Sequence, residues 1–252
     1  MSAPRTATEV LWHEHEAHGR RWARLHLRSA SGVNPLSGAT VAALRGHLAA
    51  VNAAGAAAPH ALLLSAEGRC FCAGADIKEF RDFDAPAFAD YMRAVLALYA
   101  EMIELSRPIV CLVQADARGG GAALALCSDF VVAVEGTRFA LPEAHRGLAG
   151  GGWLMPRLMG RQRAAEMVLL GREFDAAAMA AMGLVSTVCA AEALQAQAEV
   201  WCEALARMPE SAFGVGKRSL AGGLSVGLRE AMDWHVQAQT EAFRAARAAG
   251  HL

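Results

Sequence analysis

Apolar and polar residues alternate from Thr6 to Leu27, with a break at His18-Gly19, and this period of two predicts an antiparallel hairpin. The pattern then lengthens. Ser37 stands ahead of a helical repeat reaching Ala54, in the position of an N-cap. His60 to Ala66 is a short apolar run and predicts a buried strand, followed by the loop "EGRCFCAGADIKEF". An amphipathic helix is expected from about Phe88 to Leu105, a strand after Pro108, a glycine-rich turn opening another helix, and a strand over "DFVVAVE". Glu135 to Gly152 reads as loop-rich and about Trp153 to Leu170 as helix. From Glu192 onward the pattern is helical, interrupted at Met208-Pro209 and at "AGGLSVG".

Strands alternating with helices predict an α/β chain with a sheet flanked by helices. The expected division is a core over residues 1–191 and a helical region over 192–252. At 252 residues the chain can bury a substantial core. Twenty-four basic against 25 acidic residues leave no basic stripe for nucleic acid. No run approaches the roughly 18 consecutive apolar residues of a membrane helix. The N-terminus lacks a basic segment followed by an apolar core, so no secretory signal is expected. The six scattered cysteines fit a reducing, cytoplasmic setting.

Several patterns resemble chemical motifs and fail on spacing. His13, His15 and His18 sit among acids beside the hairpin turn, where a solvated edge explains them and no metal site is expected. "GVGKRS" has Ser211 where a phosphate loop needs its first glycine, and Arg218 where it needs Ser or Thr. Gly119, Gly120 and Gly121 are too closely spaced for a dinucleotide fingerprint. Cys70 and Cys72 read as small buried hydrophobes.

Two loops remain. "CFCAGADIKEF" and "ARGGGAALAL" each put small residues where amide N–H groups are bare at a helix start, and such groups favour negative charge. Together with "DFVVAVEGTRFALPEAHRGLA" these stretches resemble the signature regions of the crotonase superfamily, the enoyl-CoA hydratases and isomerases. The likeness covers most of the chain.

The resemblance implies a crotonase-like ββα spiral with a helical C-terminal oligomerisation region, assembling as a homotrimer or homohexamer. It implies an acyl-CoA substrate, fatty acid metabolism, and no cofactor beyond the coenzyme A of the thioester. Its oxyanion donors fall on the amides of Ala75 and Gly120, and its acyl-CoA contacts on Val33, Leu36, Ala73, Ala75, Asp76, Ile77 and Gly120. Asp76 is expected to hold its loop by accepting backbone hydrogen bonds. Val33 replaces a basic residue common in the family, and Lys78 is the candidate substitute.

Hydratases of this family carry two glutamates. Here Ala123 stands at the first position and Glu143 at the second. A single carboxylate suffices to remove a proton from one carbon and return it two carbons away, so double-bond isomerisation with Glu143 as base and then acid is expected. A hydratase with a nonstandard second group, a hydrolase or decarboxylase on the same scaffold, and a non-catalytic acyl-CoA binder stay open. The alternative for Glu143 is an ion pair with Arg146. Arg118, helped by His145 or Arg146, is a candidate to receive a substrate carboxylate, or faces solvent. The stretch "GLAGGGWLMPRLMG" is about three residues shorter than its family counterpart, and "WLMPR" resembles epoxyphenylacetyl-CoA isomerases.

Overall fold

The alternating N-terminal stretch folds as the expected hairpin in the computed structural model, which describes residues 7–223, 225–248 and 250. Strands β1 (Glu9–Ala17) and β2 (Arg20–Arg28) pair antiparallel from Glu9↔Arg28 to Ala17↔Arg20. His18 at φ 55° and Gly19 at φ 69° make the two-residue turn whose twist matches its strands.

Helix α1 (Gly38–Ala53) begins where the Ser37 hydroxyl accepts from Thr40 N at 3.1 Å. Strand β3 (Ala61–Ala66) is buried throughout. Asp84 caps α2 (Ala85–Glu104), accepting from Ala87 N at 2.8 Å. Then come β4 (Ile109–Val113), β5 (Ala117–Arg118), α3 (Gly120–Leu126), β6 (Phe130–Val134) and β7 (Arg138–Ala140). A 3-10 turn over Pro142–Arg146 leads toward α4 (Met155–Leu170). The chain closes with β8 (Phe174–Asp175), α5 (Ala176–Ala181), β9 (Thr187–Cys189), α6 (Leu194–Ala206), α7 (Ser211–Gly223) and α8 (Leu228–Ala248).

Two differences from the expected elements stand out. The loop-rich stretch from Glu135 to Gly152 also holds a short strand, β7, and a 3-10 turn that the pattern did not show. The helix ending at Leu170 is broken at Gly160, where φ 73° and ψ 162° interrupt the helical repeat.

Six strands form one sheet in the order β1-β2-β3-β4-β6-β9, parallel beyond the first pair. Helices cover both faces, as a parallel sheet requires. Leu62, Leu64, Cys111 and Val113 face the core with α1, α2 and α3. Trp22, Leu63, Val110, Leu112 and Val132 face α6, meeting Ala198, Cys202 and Leu205. Burying such side chains contributes roughly 1.5–3 kcal/mol each. A second sheet of three short strands, β5-β7-β8, stands apart and carries the candidate site.

Helix α7 is anchored to this core by Lys217, which is 6% exposed. Its ammonium donates to the carbonyls of Met102 (3.0 Å) and Arg107 (3.2 Å) and to Asp129 Oδ2 (2.7 Å). By contrast α8 packs mainly on α7, and Leu228, Met232, Val236 and Phe243 face outward. No described helix is long and apolar enough to cross a membrane.

Candidate active site

The two small-residue loops meet. Residues 33–36 run parallel to residues 73–76, with Ala73 N donating to Val33 O (2.9 Å), Leu36 N to Gly74 O (2.8 Å) and Asp76 N to Leu36 O (3.3 Å). The same loop pairs with β5, where Arg118 N donates to Cys72 O at 2.9 Å. Gly74 and Gly120 then lie in contact: a β-carbon on Gly74 would fall 2.8 Å from Gly120 N. Among the described residues, the amides of Ala75 and Gly120 donate to no internal acceptor. Two unspent donors at touching segments are therefore available to a ligand.

Each of the three consecutive glycines answers to a different neighbour. A β-carbon on Gly119, whose φ is 56°, would lie 2.8 Å from Glu143 Oε1. On Gly120 it would lie 2.9 Å from the Tyr99 hydroxyl, and on Gly121 only 2.2 Å from the Cys72 carbonyl oxygen. The run is small because a carboxylate, a phenol and a peptide crowd it at successive positions.

Glu143 sits on the turn that follows β7. Strand β7 pairs parallel with β5, and Gly119 N donates to Ala140 O at 2.8 Å, so this carboxylate and the glycine run share one small sheet. Burial holds its pKa above the ordinary carboxylate value, opposed by its own backbone amide and, through space, by Arg146. Glu143 Oε2 is buried and without a hydrogen-bond partner. The alternative ion pair with Arg146 does not form among the described residues. Ala123, at the first of the two glutamate positions named above, is buried and presents only a methyl group.

Both tyrosines of the chain lie eight residues apart on α2 and hold this region. Tyr91 donates to Leu36 O at 2.8 Å, and Tyr99 donates to Gly120 O at 2.7 Å while stacking on Trp153. Burial raises both phenol pKa values, so they remain protonated donors. Sequence reasoning missed them. The available clue was their two-turn spacing on the helical face turned toward the core. The structural role of Asn34 was missed as well: fully buried at φ 48°, its side-chain amide donates to the carbonyls of Glu67 (2.8 Å), Cys70 (3.1 Å) and Phe71 (3.2 Å), holding the chain that leads into residues 73–76.

Other candidate residues separate by environment. Asp76 accepts from Lys78 N at 3.1 Å, closing its own loop. Val33 is half-buried, Leu36 is fully buried, and Ala73, Ile77 and Lys78 are exposed. Arg118 does not offer a free guanidinium: it donates to Asp116 Oδ2 (2.8 Å) and Glu173 Oε1 (2.5 Å). His145 packs instead against Gly171. Among the described residues no group of three His, Cys, Asp or Glu could hold a metal ion.

This arrangement has counterparts in known proteins. Residues 23–250 match the enoyl-CoA hydratase/isomerase family model. The chain belongs to this family. It is 32% identical over 174 residues to the mitochondrial enoyl-CoA hydratase of Pongo abelii, covering 68% of this chain and 59% of that protein. It is 34% identical over 167 residues to the 1,2-epoxyphenylacetyl-CoA isomerase of Escherichia coli, covering 63% of each. Over 148 residues it is 36% identical to the mevalonyl-coenzyme A hydratase of Aspergillus fumigatus, covering 58% of this chain and 55% of that protein. These matches span about 55–63% of the three curated relatives' lengths. Family members with solved structures match over more of the chain. The enoyl-CoA hydratases of Bacillus anthracis and Mycobacterium smegmatis, 26% and 25% identical, each superimpose with a TM-score of 0.84. They cover 92% of this chain and 91% and 90% of their own. The expected crotonase-like α/β fold with C-terminal helices is thus present, and relatives are named both as hydratases and as isomerases.

Proposed function

We propose that this chain isomerises enoyl-CoA thioesters by shuttling one proton on Glu143. The Glu143 carboxylate takes a proton from C2 of a 3-enoyl-CoA, and negative charge moves to the thioester oxygen. The amides of Ala75 and Gly120 hold that oxygen. Each such donor, preorganised in a dry site, contributes about 2.7–4 kcal/mol to the transition state. The protonated Glu143 then delivers its proton to C4, leaving the double bond conjugated with the thioester. Coenzyme A lies along residues 33–36 and 73–77 in this reading, and no metal or resident cofactor takes part.

One observation carries the reading: Glu143 offers a buried, unpartnered oxygen beside the glycine run, while Ala123 supplies no second carboxylate. A raised pKa suits a group that must both accept and return a proton near neutrality. Incubation with a 3-enoyl-CoA is expected to increase conjugated-thioester absorbance, and Glu143→Gln is expected to abolish the increase. Equal turnover in that variant sinks the proposal.

Hydration of a 2-enoyl-CoA is the second reading, favoured by the hydratase names of the Pongo abelii and Aspergillus fumigatus relatives. Solvent oxygen appearing in a 3-hydroxyacyl product would select it, and acyl-CoA binding by calorimetry with no turnover of any thioester would end both. Arg118 does not recognise substrate in either, its charge being met by Asp116 and Glu173. The outward apolar residues of α8 support assembly as a homotrimer or homohexamer. Six unpaired, buried cysteines fit a reducing compartment, the cytoplasm in this reading.

A further inference from the structure

The two groups assigned to catalysis hang from neighbouring strands. Strand β5 runs directly into Gly120, and β7 runs into the turn bearing Glu143, in the register Arg118↔Ala140. Only two residue pairs join these strands, so the ladder alone is a short tether. Side chains supplement it. Glu173, just before β8, accepts from Arg118 of β5 at 2.5 Å through Oε1 and from Arg138 of β7 at 3.3 Å through Oε2. Asp116 closes the square, taking Arg118 Nη2 at 2.8 Å and the Arg138 amide at 3.0 Å. Its own carbonyl accepts from Phe71 N at 2.9 Å, which extends the network to the loop leading to Ala75.

We infer that Glu173 is a positioning residue: by bridging Arg118 and Arg138 it sets the separation between the Gly120 amide and the Glu143 carboxylate. The inference rests on the roles proposed above for those two groups. Exposed ion pairs contribute little to global stability, and the side chains of Glu173 and Arg138 are 36% and 60% exposed. The buried core holds the fold without them. What the bridge controls is local. Glu143 Oε1 already lies 2.8 Å from where a Gly119 β-carbon would be, so a small change in the spacing of β5 and β7 alters how tightly this carboxylate is enclosed. The bridge needs two acceptor oxygens. A glutamine of the same size has one, and its amide nitrogen would face a guanidinium.

The test compares Glu173→Gln and Arg138→Met with the unaltered chain and with Glu143→Gln. With either bridge variant kcat is expected to fall about 10-fold and KM to stay within about 2-fold, short of the ~100-fold loss that a full 1 Å misplacement brings. The acid limb of the pH profile is expected to move down in both, because a loosened Glu143 gains water. Arg146 on its own turn and Tyr99 from α2 are the other polar groups acting across this site, and neither is altered. Infrared difference spectra against Glu143→Gln read the same protonation midpoint without any substrate. An inactive wild type would therefore refute the isomerase reading while still deciding this one. An unmoved midpoint in Glu173→Gln and Arg138→Met overturns the inference, including when kcat falls alongside a lowered melting temperature.

Discussion

The carboxylate of Glu143 fills the space that a side chain on Gly150 would need, since a β-carbon there would stand 2.5 Å from Glu143 Cδ. A β-carbon on Gly119 would likewise lie 2.8 Å from Glu143 Oε1, so the acid packs against two residues that have no side chain. Gly150→Ala is therefore expected to displace the carboxylate and lower kcat by about 100-fold, the scale of a 1 Å misplacement. Gly150 lies on a surface loop, so circular dichroism should show an unchanged fold.

Burial of Glu143 has a cost that depends on pH. Its folded-state pKa is raised, so the folded protein is at full advantage while the group is protonated in both states. As pH rises from the ordinary carboxylate range through the raised value, the unfolded chain ionises more readily and stability is lost. Glu143→Gln escapes this loss. Its melting temperature relative to wild type is expected to increase from acid to neutral pH, while activity disappears. A difference constant with pH would contradict the buried carboxylate.

Tyr99→Phe removes the hydrogen bond to Gly120 O but keeps the ring stacked on Trp153. A loss of about 1 kcal/mol in denaturant stability is expected, the net worth of one such bond. Tyr91→Phe removes the corresponding bond to Leu36 O and should cost a similar amount. Because the two phenols hold separate segments, the double variant should show additive losses.

Lys217→Met leaves Asp129 without its ammonium partner, and the carbonyls of Met102 and Arg107 without a donor. Breaking a buried pair from one side typically costs about 3–5 kcal/mol. Unfolding should begin with α7 and α8, read by hydrogen exchange. Adding Asp129→Asn to Lys217→Met is expected to recover part of the loss.

Long periodic stretches were legible because period alone identifies them: the hairpin closing at His18-Gly19, the helix capped by Ser37, and the buried strand from Ala61. Strands β5, β7 and β8 have two or three residues each, too few to show any period, so the sheet beneath the site went unread. The glycine run was recognised as a close approach, but not what approaches. Cys72 and Glu143 reach it from distant parts of the chain, and no local pattern encodes that meeting. Arg118 looked free because one of its partners, Glu173, is 55 positions away. The other, Asp116, is two positions away, on a stretch whose fold as part of this small sheet was not legible.

The segments bearing Ala75 and Gly120 are tied to one another, and to residues 33–36, chiefly through main-chain bonds such as Arg118 N to Cys72 O and Leu36 N to Gly74 O. Peptide groups are the same whatever side chain they carry. Evolution can thus rewrite the surrounding side chains while the main-chain geometry of these segments stays put. Homologues only 26% identical in sequence keeping a TM-score of 0.84 is the outcome such a scaffold permits.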